Sequence, residues 1–202
     1  MKKILFLFLA ACFFFSCEKE TIVIPQQHAG RTVLAFFWAD NSLNSSLRNN
    51  IQTMMQGLQA MKDSAALLVY WDGEASDISW PEPCIVEYVT NGQGGINSLS
   101  KGTIDAMMAD KNTSIYDLIG IGNIRKKYPP QTSTEKTVMQ TVIGDMMSAY
   151  PSESYGIIFG SHGSGWLPTI TGTRSIGQDG GRYSSDTALI PELAEVLRTV
   201  NP

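Results

Sequence analysis

A single histidine in this sequence stands where an imidazole could do chemistry. In Gly160-Ser161-His162-Gly163-Ser164-Gly165-Trp166 it follows directly on the apolar run Tyr155 to Gly160, YGIIFG. Such a run reads as a strand, and in open α/β sheets the carboxyl ends of strands are where reactive groups gather. Glycines near the ring leave it uncrowded and let a substrate backbone come close. An imidazole so placed can act as general base and then general acid. The neighbouring Gly163 N–H could donate to a developing oxyanion. A structural histidine capping a Gly-rich turn fits the same spacing, so the residues alone leave both readings open. The other histidine, His28, lies in a polar stretch and reads as solvated.

A base of this kind needs a nucleophile. The three cysteines are Cys12, Cys17 and Cys84. Cys84 follows Pro83 in a turn and precedes the histidine strand, so it reads as a small half-buried hydrophobe. No G-x-S-x-G elbow occurs among these residues. No pair of cysteines has zinc-ligand spacing and two histidines are too few for a His-rich site, so no metal site is predicted. Gly92-Gln93-Gly94-Gly95 is too short for a phosphate loop and reads as a turn. Asp40 and Asn41 follow the first apolar run and are candidates for the rim of the same cleft, although Asp, Asn and Ser are also preferred helix caps. Asp179 is a rim candidate or simply a turn former in a Gly-rich loop.

The elements that must position these residues alternate strand and helix. Thr32 to Ala39 (TVLAFFWA), Ala65 to Trp71 (AALLVYW) and Tyr155 to Gly160 are near-continuous apolar runs that suit strands buried on both faces. Cys84 to Thr90 reads as an edge or hairpin strand after the Trp80-Pro81-Glu82-Pro83 turn. Leu43, Leu47, Ile51, Met54, Leu58 and Met61 recur at helical spacing behind the Asp40-Asn41-Ser42 cap. Thr132 with Glu135 forms a capping-box signature before Val138, Met139, Val142, Ile143, Met146 and Met147. A Gly-rich loop spans Ser161 to Ser185, and Pro191 opens a last helix through Leu193, Val196 and Leu197. The pattern argues for an α/β domain with a mostly parallel sheet.

Lys2-Lys3 and the apolar run Ile4 to Phe15 form a leader, too short for a mature membrane span. It closes on Ser16-Cys17, which resembles the lipobox of bacterial lipoproteins. The expected organisation is a signal peptide over 1–16, a tether over 17–30 carrying lipid on Cys17, and one domain over 31–202. With 202 residues, 43% of them hydrophobic and 17% charged, the chain can bury a sizeable core. A net charge of −4 makes nucleic acid an unexpected partner.

The segments Ser161 to Trp166, Arg174-Ser175-Ile176-Gly177-Gln178-Asp179 and Ile190-Pro191-Glu192-Leu193-Ala194 resemble, in order and spacing, clostripain-family cysteine peptidases. So does the Ala39-Asp40-Asn41-Ser42-Leu43 turn. The resemblance runs from about Arg31 to the end. It implies a caspase-like three-layer sandwich and a Cys–His dyad that cleaves peptide bonds after Arg or Lys. His162 would then be the base and acid, and Gly163 an oxyanion donor. In that family the cysteine stands on the next strand in an Asp-x-Cys setting, which these 202 residues do not contain, so they are expected to be inactive alone. The implied partners are a peptide or protein substrate and, through the lipid, a membrane of the bacterial cell envelope. No cofactor is predicted, and calcium enters only by family analogy. Two other readings are an α/β-hydrolase using His162-Gly163-Ser164-Gly165 as an oxyanion loop, and a non-catalytic lipid-anchored binding protein.

Overall fold

The computed structural model describes residues 30–73, 82–90, 92–110, 112–163, 175–178 and 187–200. The leader, Cys17, Trp80, Trp166 and Asp179 lie outside the described residues.

Five strands make the central sheet: β1 (Arg31–Ala39), β2 (Ala65–Gly73), β3 (Cys84–Val89), β4 (Asn123–Lys127) and β5 (Tyr155–Gly160), in the order β4-β3-β2-β1-β5. β1 is parallel to β2 and to β5, while β3 is antiparallel to β2 and β4. Four of the five strands therefore point one way, and β3 alone opposes them.

Side chains along β1 and β2 alternate between two cores, as the two-residue period of a strand requires. Ala35, Phe37, Ala39, Leu67, Val69 and Trp71 face α1 (Asn44–Ala60), α2 (Lys101–Ala109) and α3 (Ile115–Ile121). Leu34, Phe36, Trp38, Ala66, Leu68 and Tyr70 face α4 (Lys136–Ala149), α5 (Ile190–Val200) and the hairpin of β6 (Ser175–Gln178) with β7 (Thr187–Leu189). This two-sided cover explains the unbroken apolar runs: each fully buried Phe, Leu or Val contributes about 1.5–3 kcal/mol. The helical stripes match the predicted ones closely. In α1 the buried residues are Leu47, Ile51, Met55 and Leu58, with Met55 rather than Met54 innermost and Met61 exposed beyond the last turn. In α4 they are Met139, Val142, Ile143 and Met146.

Four expectations need correction. β3, read as an edge or hairpin strand, is the antiparallel hairpin partner of β2 but not an edge: β4 covers its other side, and its charged residue, Glu87, is buried against the Arg125 guanidinium of β4 at 2.7 Å. β5, expected to be covered on both faces, is the terminal strand of the described sheet, with Ile158 45% exposed. The Thr132–Glu135 box does not form: α4 begins after Glu135 with no side-chain cap, and only the Glu135 N–H returns to the Thr132 carbonyl. Nor does the Asp40-Asn41-Ser42 segment cap α1, whose N-cap is Leu43 without a side-chain bond.

Candidate active site

The parallel pairing of β1 with β5 brings Phe37 opposite Gly160, so the residues just past both strands share one edge of the sheet. From β1 come Asp40, Asn41 and Ser42; from β5 come Ser161, His162 and Gly163. Asp40, Asn41 and His162 are half-buried, whereas Ser42 and Gly163 are exposed.

Two side-chain hydrogen bonds join the loops. Asn41 Nδ2 donates to the Trp38 carbonyl at 2.7 Å and to Ser161 Oγ at 3.2 Å. Its Oδ1 accepts from the Leu43 N–H at 2.9 Å, an Asx-type turn that sets how the chain enters α1. The Asn41 amide is thus engaged within the protein at both ends. Beside it, Ser42 Oγ lies 2.9 Å from His162 Nε2. By its position in the sequence Ser42 reads as a capping residue. Spacing could not show its second use, because the contact joins residues 120 positions apart.

Beneath the loops the packing leaves little slack. Trp38 is fully buried, donates from Nε1 to the Ser133 carbonyl at 2.9 Å and stacks on Phe159 with ring centroids 5.6 Å apart. Ser133 in turn meets the Tyr70 hydroxyl at 2.6 Å. Gly177 of β6 lies flat on the Trp38 indole, where a β-carbon would sit 3.1 Å from the ring, and a β-carbon on Gly163 would approach the Ser175 carbonyl to 3.2 Å. The hairpin β6–β7 is therefore seated against both the floor of the site and the residue after His162.

Cys84 is the one cysteine among the described residues. It reaches the same sheet edge, because β3 runs antiparallel and starts there. Yet it is buried opposite Trp71, three strand positions from β5, roughly 14 Å away at ordinary strand spacing. Burial pushes its thiol up to about 11, with the nearby Lys127 charge opposing and Asp72 adding to the rise. A thiol in that state is an inert core group rather than a nucleophile. The other sequence candidates, Asp179 and the lipid-bearing Cys17, lie outside the described residues.

Among known proteins, the model of the clostripain family matches residues 35–202. A secreted C11 cysteine protease from Bacteroides thetaiotaomicron, solved with an irreversible peptide inhibitor, superposes with a TM-score of 0.59 at 26% identity, over 86% of this chain and 40% of the protease. The chain thus spans well under half the length of that relative. A cysteine protease from B. fragilis gives a TM-score of 0.48 at 27% identity, over 70% of this chain and 95% of that one. No curated protein sequence matches.

Proposed function

The chain belongs to the clostripain family of cysteine peptidases and has a caspase-like α/β fold, and on that premise we propose that it is the histidine-bearing part of an endopeptidase cleaving after Arg or Lys. The family match over a chain whose one well-placed imidazole stands at the β1/β5 edge carries this reading. His162 takes the proton from a cysteine thiol, and the thiolate attacks the scissile carbonyl. The Gly163 N–H donates to the resulting oxyanion. His162 then returns the proton to the leaving amine, and water, deprotonated by the same imidazole, releases the acyl group.

The thiol comes from outside these 202 residues, on a strand that lies along β5. Two observations support this. Cys84 is buried and remote, and β5 is the terminal strand of the described sheet, with Ile158 on it 45% exposed. Asp40 at the rim supplies a carboxylate for a basic substrate side chain. Among the described residues no three His, Cys, Asp or Glu side chains stand together to hold a metal. No step of this proposal involves a metal ion.

Export through the Lys2-to-Phe15 leader and lipid attachment at Cys17 complete the proposal. The secreted relative supports export. Among the described residues no helix is long and apolar enough to cross a membrane. The test uses the intact gene product with fluorogenic peptides ending in Arg, Lys, Leu or Asp. The first two should be cleaved, a thiol-directed Arg peptide should block cleavage, and His162→Ala should abolish it without lowering Tm. Cys17→Ala should release the protein from membranes. A folded product without thiol-dependent turnover would overturn the peptidase reading in favour of a binding lipoprotein. Robust cleavage by the 202-residue chain would overturn the external nucleophile.

A further inference from the structure

Resting on the peptidase reading above, we propose that Ser42 is the positioning residue of the site: its hydroxyl oxygen accepts the Nε2–H of His162 and so reserves the other ring nitrogen, Nδ1, for the thiol proton.

The contact itself is the first support. Ser42 Oγ stands 2.9 Å from Nε2, within hydrogen-bond reach of a ring nitrogen. A neutral imidazole carries one N–H and one lone pair. A general base must keep its lone pair toward the proton it removes. With Nε2 occupied by Ser42, that lone pair belongs on Nδ1, so Nε2 bears the hydrogen and Ser42 Oγ is the acceptor. The same bond persists once Nδ1 has taken the thiol proton, because both nitrogens are then donors. Ser42 therefore serves the resting and the charged imidazole without moving. Base plus orienting third group is the general arrangement of activated nucleophiles, and here a hydroxyl fills the place of the third group.

The second support is how Ser42 is held. A serine at the mouth of a helix ordinarily accepts a helix N–H, yet α1 is capped at Leu43 with no side-chain bond. The local turn is made by Asn41, through its Oδ1 to the Leu43 N–H and its carbonyl to the Asn44 N–H at 3.1 Å. Asn41 Nδ2 also reaches Ser161, the residue before His162. The turn is thus complete without the Ser42 side chain, and it fixes that side chain against the imidazole. Ser42→Ala removes no cap and no core atom.

Two measurements test this. In the 202-residue chain the only histidines are His28 and His162, so long-range 15N–1H correlations of the two rings are resolvable, with His162→Ala assigning them. At a pH where the ring is neutral, His162 should be the Nε2–H tautomer, and Ser42→Ala should convert it to a mixture. In the intact peptidase, Ser42→Ala should lower kcat about 10-fold, a modest part of the 10²–10⁴ that a positioned base contributes. KM should stay within about twofold and Tm within about 2 °C, and Ser42→Thr should recover most of kcat. An Nδ1–H tautomer in the native chain would overturn the proposal. So would an unchanged kcat in Ser42→Ala, or labelling of Ser42 by a fluorophosphonate, which would make the serine a nucleophile. Absence of turnover in the native intact protein would instead overturn the peptidase reading, and the tautomer result would still say whether Ser42 holds the ring.

Discussion

Gly160 ends β5 two residues before His162, and replacing it with alanine should disturb the site from below. A β-carbon there would stand 2.6 Å from Leu47 Cδ2 and 2.6 Å from Phe37 Cδ1, about 1 Å inside ordinary carbon–carbon contact. Neither neighbour has room to retreat. Leu47 and Phe37 are both buried, and the Phe37 ring meets Trp71 edge-on with centroids 6.5 Å apart. Gly160→Ala must therefore lift α1 or displace the end of β5 by about 1 Å. Overpacking of this kind costs about 1–3 kcal/mol, and about 2 kcal/mol would lower Tm by roughly 4–8 °C in a chain of this size. Gly156 supplies the control: it lies on the same strand and face, and a β-carbon there meets nothing within 4 Å. Gly156→Ala should be neutral or stabilise by up to about 1 kcal/mol, by restricting the unfolded chain. Urea unfolding followed by circular dichroism measures both variants. In the intact peptidase, a shift of His162 by about 1 Å should also cost about 10²-fold in kcat. Equal stability of the two variants, within about 0.5 kcal/mol, would refute the packing account of Gly160.

Two further outcomes follow from buried groups. Cys84, its thiol held up at about 11 by burial, should resist iodoacetamide at pH 8 until the protein is denatured, and rapid labelling of native protein would contradict its burial. Because that folded value exceeds the unfolded value of about 8.5, the protonated thiol favours the folded state below pH 8.5, and this contribution fades as the pH rises toward 11; Cys84→Ala should flatten that limb of a stability–pH curve. Arg125→Ala would strip the buried Glu87 of the guanidinium 2.7 Å away. It should destabilise by about 2–3 kcal/mol at pH 7, less than for a fully buried pair because Arg125 is 30% exposed. A loss below about 0.5 kcal/mol at pH 7 would show that the pair is dispensable.

The parts of the fold written in apolar periodicity were legible, and the parts written in polar pairing were not. β1 and β2 are buried along nearly their whole length, and α1 and α4 bury most of their apolar stripes, with Met54, Val138 and Met147 partly covered and Met61 exposed. The burial of Glu87 was not legible, because local spacing does not name its partner. Its partner Arg125 sits in Asn123–Lys127, a strand whose five residues are all exposed and carry no apolar signal. The helices α2 and α3 went unassigned, although Ser114 with Asp117 forms the capping box in the structure, both reciprocal bonds being present. Thr132 with Glu135 has the same signature and makes no such box, which shows how little the motif decides without the tertiary setting. At the candidate site, the placement of His162 just past a strand end was legible from the YGIIFG run. Ser42 was not, since a contact between distant loops leaves no trace in local spacing.

The two loops of the site meet across 120 residues of chain. Closing β1 onto β5 therefore carries roughly 1 kcal/mol more loop entropy than closing β1 onto β2, and it can be repaid only once β1 is already in place. β5 should be the last strand to dock during folding and the first to detach in partial opening, with amides that exchange ahead of those in β1 and β2. The imidazole and its serine then come apart while most of the sheet still stands. The contact between Ser42 and His162 should therefore be lost before secondary structure on heating, so breakdown of the site and unfolding of the sheet should be separate events.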